Sequence, residues 1–160
     1  MDTVYVETTV IGNIAGRLHP DPVIWARQQV TRNWWAIAPR RCRLFTSQVA
    51  LDECGDGDPD AAAERLEITR QVELLDTTDE AKALARALMN RLAVPASQPR
   101  DALHISLAAV HRVEFMVTWN FKHILNPHLQ TKIAEVCRDE GYRPPVICTP
   151  QQLLESEDDS

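Results

Sequence analysis

At 160 residues and 44% hydrophobic content, the chain is long enough for one well-buried core and too short for two ordinary domains. Its formal charge of −6 excludes a broadly basic surface that would clamp nucleic acid regardless of sequence. Cys42, Cys54, Cys137 and Cys148 form no C-x-x-C pair and are too sparse for a disulfide-stapled secreted domain.

Apolar runs are too short to span a bilayer, and Asp2 and Glu7 stand where a secretory signal would carry basic residues. The expectation is a cytoplasmic protein with reduced thiols and no membrane contact. The charge is unevenly spread: Glu155, Glu157, Asp158 and Asp159 hold four of the acids, leaving −2 for the rest. Residues 1–45 carry Arg17, Arg27, Arg32, Arg40, Arg41 and Arg43 against Asp2, Glu7 and Asp21, a local excess of +3. A basic surface beside an acidic site is compatible with the acidic total.

In chain order, Val4-Tyr5-Val6 predicts a short strand ending at Glu7, with Thr8 and Thr9 placed to cap a helix through Val10, Ile11 and Ile14. From Pro22 to Ile37, Val23, Ala26, Val30, Trp34 and Ile37 follow helical spacing, leaving Arg27, Gln28, Thr31 and Arg32 on the outer side. Cys42 to Thr46 predicts a second strand, and Ser47 caps a helical turn from Gln48 to Glu53 that Gly55-Asp56-Gly57-Asp58-Pro59 breaks.

Asp60 to Thr69 predicts a helix and Val72 to Leu75 a short strand. Thr77-x-x-Glu80 predicts a capping box opening the helix that buries Ala81, Leu84, Ala85, Leu88 and Leu92. Ser97 to Asp101 opens another helix, and Ala102 to Val110 is apolar enough to lie deep in the molecule. Phe115 to Thr118 predicts a strand, Leu129, Ile133 and Val136 a late helix, and Pro145 to Cys148 a last strand. Apolar strands alternating with helices predict an α/β fold: a central, mostly parallel sheet of about five strands, covered by helices on both faces. The expected organisation is a single domain over 1–150, then an acidic, disordered tail over 151–160.

Ligands gather beyond the carboxyl ends of strands in open parallel sheets. There the sequence puts Glu7 after the first strand, Glu53 in the helix after the second, Asp101 at the head of a buried helix, and Asn120 after the Val117-Thr118 strand end. Clustered carboxylates raise one another's pKa, and hard cations such as Mg²⁺ or Mn²⁺ neutralise them. A metal so held generates hydroxide and stabilises a leaving oxygen, the chemistry of phosphodiester hydrolysis.

Val4-Tyr5-Val6-Glu7-Thr8-Thr9, Ser47 to Glu53, Arg100-Asp101-Ala102-Leu103-His104-Ile105 and Val117 to His123 together resemble the PIN domain, in particular VapC-family toxins of type II toxin–antitoxin systems. The resemblance covers order and spacing over nearly all of residues 4–150 and implies a three-layer PIN-like fold. It implies a metal-dependent endoribonuclease in which Glu7, Glu53 and Asp101 are metal-site acids, Thr9 is a hydroxyl-bearing helper and Asn120 takes the last acidic position. RNA substrate, a masking antitoxin and a homodimer follow from the same resemblance. Two positions depart from the family pattern: Glu7 is one methylene longer than the usual Asp, and Asn120 offers a carbonyl oxygen without charge.

Each residue also has a plainer reading. Asp101 fits a dipole-favoured helix-terminal acid, Glu53 a solvated surface residue, and Asn120 a turn residue that satisfies backbone through its side chain. His104 shares the helical face of Asp101 yet reads equally as a packed, hydrogen-bonded histidine. Lys122 and His123 are substrate contacts or exposed loop residues; Trp25, Trp34 and Trp35 are a stacking platform, a subunit contact or core. Arg40, Arg41 and Arg43 steer RNA or occupy a solvated turn. The alternative in a different class is a nucleic-acid or protein binding module whose site has drifted.

Overall fold

The computed structural model describes residues 1–158. The elements in chain order are β1 (Asp2–Val6), α1 (Thr8–Ile14), α2 (Pro22–Arg41), β2 (Cys42–Ser47), α3 (Gln48–Cys54), α4 (Pro59–Thr69) and β3 (Glu73–Leu75). They continue with α5 (Asp79–Asn90), α6 (Pro99–Val110), β4 (Phe115–Val117), α7 (Pro127–Asp139), β5 (Val146–Cys148) and α8 (Pro150–Asp158). All pairings are parallel, in the order β3-β2-β1-β4-β5. The expected α/β architecture is therefore present, with every strand parallel.

Strand alternation builds two cores from one sheet. Tyr5, Phe45 and Met116 join the buried residues of α5, α6 and α7 on one face, with Leu84, Leu88, Ile105 and Ile133 among them. Val4, Val6, Leu44 and Val117 join Val10, Ile11 and Trp34 on the other. The chain winds outward from β1 through β2 to β3, then returns to the far side of β1 with β4, so the strand order reverses between β1 and β4. A crevice at the carboxyl ends of those two strands is what this topology creates.

Several local expectations give way to tertiary packing. The first helix is capped by Glu7, whose carboxylate accepts from the Thr9 amide, rather than by a threonine. Thr78, one residue after the expected Thr77, caps α5 by accepting from Ala81 N. In α2 the buried stripe is Gln28, Thr31, Trp34 and Ala38, whereas Val23 is 60% exposed. Two of those buried residues are polar because they have fixed partners: Gln28 accepts from His19 N and donates to Arg17 O, and Thr31 accepts from the Trp119 indole. Trp34 is core, Trp35 packs against it, and Trp25 is 46% exposed.

The segment expected to be a disordered tail from 151 is instead helical over Pro150–Asp158, with Leu153 and Leu154 packed on the second core. Those two leucines supply an apolar anchor that the flanking acids conceal in the sequence. Residues 159 and 160 lie outside the described residues. Among the described residues, no helix is long and apolar enough to cross a membrane. The four cysteines are buried and none forms a disulfide, and burial pushes the Cys148 thiol up to about 12 and those of Cys54 and Cys137 to about 11.

Candidate functional site

The carboxyl end of β1 is locked to its neighbours by side chains. Val6 leads directly into Glu7, whose backbone N–H continues the ladder by donating to Val117 O at 3.2 Å. Thr46 Oγ1 donates to Val6 O at 2.9 Å. Glu7 is thus held at the corner where strand becomes helix, only 2% exposed.

All the hydrogen bonds found on its carboxylate among the described residues fall on one oxygen. Oε2 receives Thr9 N at 3.0 Å, Thr9 Oγ1 at 2.5 Å and Thr118 Oγ1 at 2.8 Å. Thr9 Oγ1 also accepts from Trp119 N, and Thr118 Oγ1 accepts from Asn120 N. The two threonines therefore tie the ends of β1 and β4 together through the carboxylate. Thr9, expected as a helper, orients Glu7. Burial pushes the Glu7 carboxyl above the usual range, opposed by the His104 charge and by the hydrogen bonds from Thr9 and Thr118.

Glu53 belongs to a second chain of hydrogen bonds. Ser47 Oγ lies 2.7 Å from the Tyr5 hydroxyl, which lies 2.6 Å from His104 Nδ1. His104 Nε2 lies 2.5 Å from Glu53 Oε1, which also accepts from Thr8 Oγ1 at 2.9 Å. An ionised carboxylate only accepts, so Nε2 carries the proton shared with Glu53. Tyr5 and His104 are both fully buried, and burial holds the phenol well above its usual range, so it stays protonated. Burial pushes Glu53 upward too, but hydrogen bonding and charge from His104, with help from Thr8 and Arg100, leave it below the usual carboxylate range.

Asp101 sits in the first turn of α6, a helix antiparallel to the strands, so its amino end lies at the carboxyl end of the sheet. It is 7% exposed, and burial raises its pKa against hydrogen bonding from Asn120 and charge from His104 and His123. Asn120 Oδ1 accepts from His123 N at 3.0 Å. The oxygen expected to meet a metal thus closes a turn.

The three acids share electrostatic neighbours. Glu53 raises Asp101, and Glu7 and Glu53 both act on Tyr5 and Cys54. Among the described residues, Glu7 and Asp101 make no ion pair with a basic side chain. Nor, as they stand, do any three His, Cys, Asp or Glu side chains among those residues gather closely enough to hold an ion. The donor chemistry still fits a hard divalent cation: every hydrogen bond found on the Glu7 carboxylate uses Oε2 and every one on the Glu53 carboxylate uses Oε1, so each of these two acids keeps a second oxygen clear.

The basic groups divide by position. Arg43 pairs with Glu73 at 3.1 Å at the starts of their strands, which puts the Arg40, Arg41 and Arg43 group at the opposite end of the sheet from the acids. Arg100 pairs with Asp56, and Lys122 is exposed beside Asn120. Tyr5, Thr8, Ser47 and Thr118 hold the acids in place and carried no signal in the sequence beyond their neighbourhood to Glu7, Glu53 and Asn120. Their partners are up to 111 residues away.

No family model and no curated protein matches the sequence. Among solved structures, a chain of the VapBC2 complex from Rickettsia felis, crystallised bound to a DNA fragment from its promoter, is similar with a TM-score of 0.58 and 13% identity. The match covers 92% of this chain and 98% of that one. At such low identity the likeness is one of fold: this chain shares the α/β architecture of the VapBC2 chain from end to end.

Proposed function

We propose that the protein is a divalent-metal-dependent endoribonuclease of the VapC type, with Glu7, Glu53 and Asp101 as its metal-site acids. The observation that carries this reading is the pair Glu7 and Asp101: two buried carboxylates, raised by burial and making no ion pair among the described residues. An unpaired buried carboxylate is costly, and such groups concentrate at functional sites. The shared fold with a chain of a VapBC complex supports it.

Mg²⁺ or Mn²⁺ would be held by Glu7, Glu53 and Asp101 and would supply an activated water and charge stabilisation at a scissile phosphate. The chain's own residues do the rest. Thr9 and Thr118 fix Glu7 through Oε2, His104 and Thr8 fix Glu53 through Oε1, and Asn120 favours the charged form of Asp101. With its oxygen engaged by His123 N, Asn120 is assigned to shaping the turn instead of ligation. A small antitoxin masking the acids, and a homodimer, complete the proposal on the strength of the sequence resemblance and the VapBC likeness.

The engaged Asn120 oxygen favours a second reading, a binding module that has lost turnover. The two separate on Mn²⁺ titration followed by paramagnetic resonance or calorimetry. The nuclease reading expects binding that Glu7→Gln and Asp101→Asn each weaken; a native chain that binds no Mn²⁺ while Asn120→Asp restores binding supports the drifted site.

A further inference from the structure

Beside the acids lies a cleft that the proposed hydrolysis does not use. It runs between the first half of α2 and the turn after β4, encloses about 550 Å³ and is lined by Pro22, Val23, Ala26, Arg27, Trp119 and Phe121, among others. Trp119 is pinned on both sides: its amide donates to Thr9 Oγ1 at 2.8 Å and its indole to Thr31 Oγ1 at 2.9 Å. Phe121 tilts against it with ring centroids 6.0 Å apart and is 44% exposed. The Arg27 guanidinium lies over both rings, 5.0 Å from the Phe121 centroid and 5.6 Å from that of Trp119.

Arg27 has no carboxylate partner among the described residues. An unpaired guanidinium on a rigid aromatic pair suits a ligand that is planar and anionic together. Thr9 Oγ1, which accepts from Trp119 N, itself donates to Glu7 Oε2, so the aromatic pair adjoins the acidic site. Exposed Lys122 adds a second cation.

From this geometry we propose that Phe121, Trp119 and Arg27 form a subsite for one unpaired nucleobase of a single-stranded RNA, the base stacking on the rings and Arg27 meeting the adjoining phosphate. The proposal rests on the nuclease reading for its ligand class. Stacking explains why the aromatic surface is left open, since every base has a π-face. The cation next to it answers the backbone charge that the acids would repel.

The test is fluorescence anisotropy of the full native chain in EDTA, so that no cleavage intervenes. The probes are a labelled oligoadenylate and a ribose-phosphate strand of equal length lacking bases. Phe121→Ala should weaken oligoadenylate binding roughly tenfold or more and leave the baseless strand unchanged, and Phe121→Trp should restore it. Arg27→Gln should weaken both probes and flatten the salt dependence. The proposal is overturned if the native chain does not prefer the strand with bases, or if Phe121→Ala leaves that preference intact. It is equally overturned if Phe121→Ala alters the sedimentation of the free protein, which would assign the patch to an interface between copies or with a protein partner. Base-dependent binding without cleavage under any metal would sink the nuclease reading alone; cleavage with an unchanged Phe121→Ala profile would sink the subsite alone.

Discussion

Replacing Tyr5 by Phe isolates the polar part of the chain that holds Glu53. The ring keeps its place in the core, so little volume is lost, but the hydroxyl between Ser47 Oγ and His104 Nδ1 disappears. Ser47 can turn its hydroxyl elsewhere, whereas His104 Nδ1, in a fully buried ring, is left with no partner. Leaving one buried polar group unsatisfied costs about 1–3 kcal/mol, a substantial share of a total stability of roughly 5–15 kcal/mol. With a urea slope of about 1–3 kcal/mol per molar, the midpoint should fall by roughly 1 M at unchanged slope. A double-mutant cycle with His104→Leu should show coupling of about 0.5–3 kcal/mol, because the second change removes the group the first one strands. Equilibrium urea unfolding followed by tryptophan fluorescence reads both. An unchanged midpoint for Tyr5→Phe, or strict additivity in the cycle, would refute the claim that these residues act as one hydrogen-bonded unit.

Three further outcomes follow from the same geometry. Because Glu7 is raised in the folded chain, its contribution to stability is fully present below the ordinary carboxylate pKa and is lost as pH rises through the raised value. Glu7→Gln should therefore gain thermal stability relative to the native chain between acidic and neutral pH in EDTA, and a constant difference across that range would count against the buried, unpaired carboxylate. Thr9→Val removes both the donor to Glu7 and the acceptor for Trp119 N; it should cost about 1–3 kcal/mol of stability, read as a lower urea midpoint, and a neutral effect would separate Thr9 from the corner. The buried cysteines, with Cys148 pushed up to about 12, should react with a thiol reagent only on unfolding, so rapid labelling of the native protein would contradict their burial.

Much of the framework was legible because its signals are local. Apolar runs marked β1, β2 and β4, Ser47 capped α3 as expected by accepting from Ala50 N, and the strand-to-helix corner fell on Glu7. What escaped is held by contacts distant in sequence. His104 meets Tyr5 across 99 residues and Glu53 across 51, so nothing near His104 announces that it braces an acid. The inward face of α2 was misread because Gln28 and Thr31 look like surface residues until His19, Arg17 and Trp119 arrive to satisfy them. The terminal helix was hidden by its acids, and only its packing on the second core reveals what Leu153 and Leu154 do.

Asn120 Oδ1 closes a turn on His123 N, the backbone-satisfying part that its plainer reading expects. Which group an amide oxygen meets is set by the turn that carries it, and residue type alone does not decide it.

The central claim is tested most directly by incubating the purified full chain, free of co-purifying partner, with labelled single-stranded and structured RNA in Mn²⁺, Mg²⁺ or EDTA, beside Asp101→Asn. The account predicts cleavage that requires the metal and is lost in the variant although its urea midpoint stays near that of the native chain. Metal-independent cleavage, cleavage that survives Asp101→Asn, or no cleavage of any RNA would contradict it.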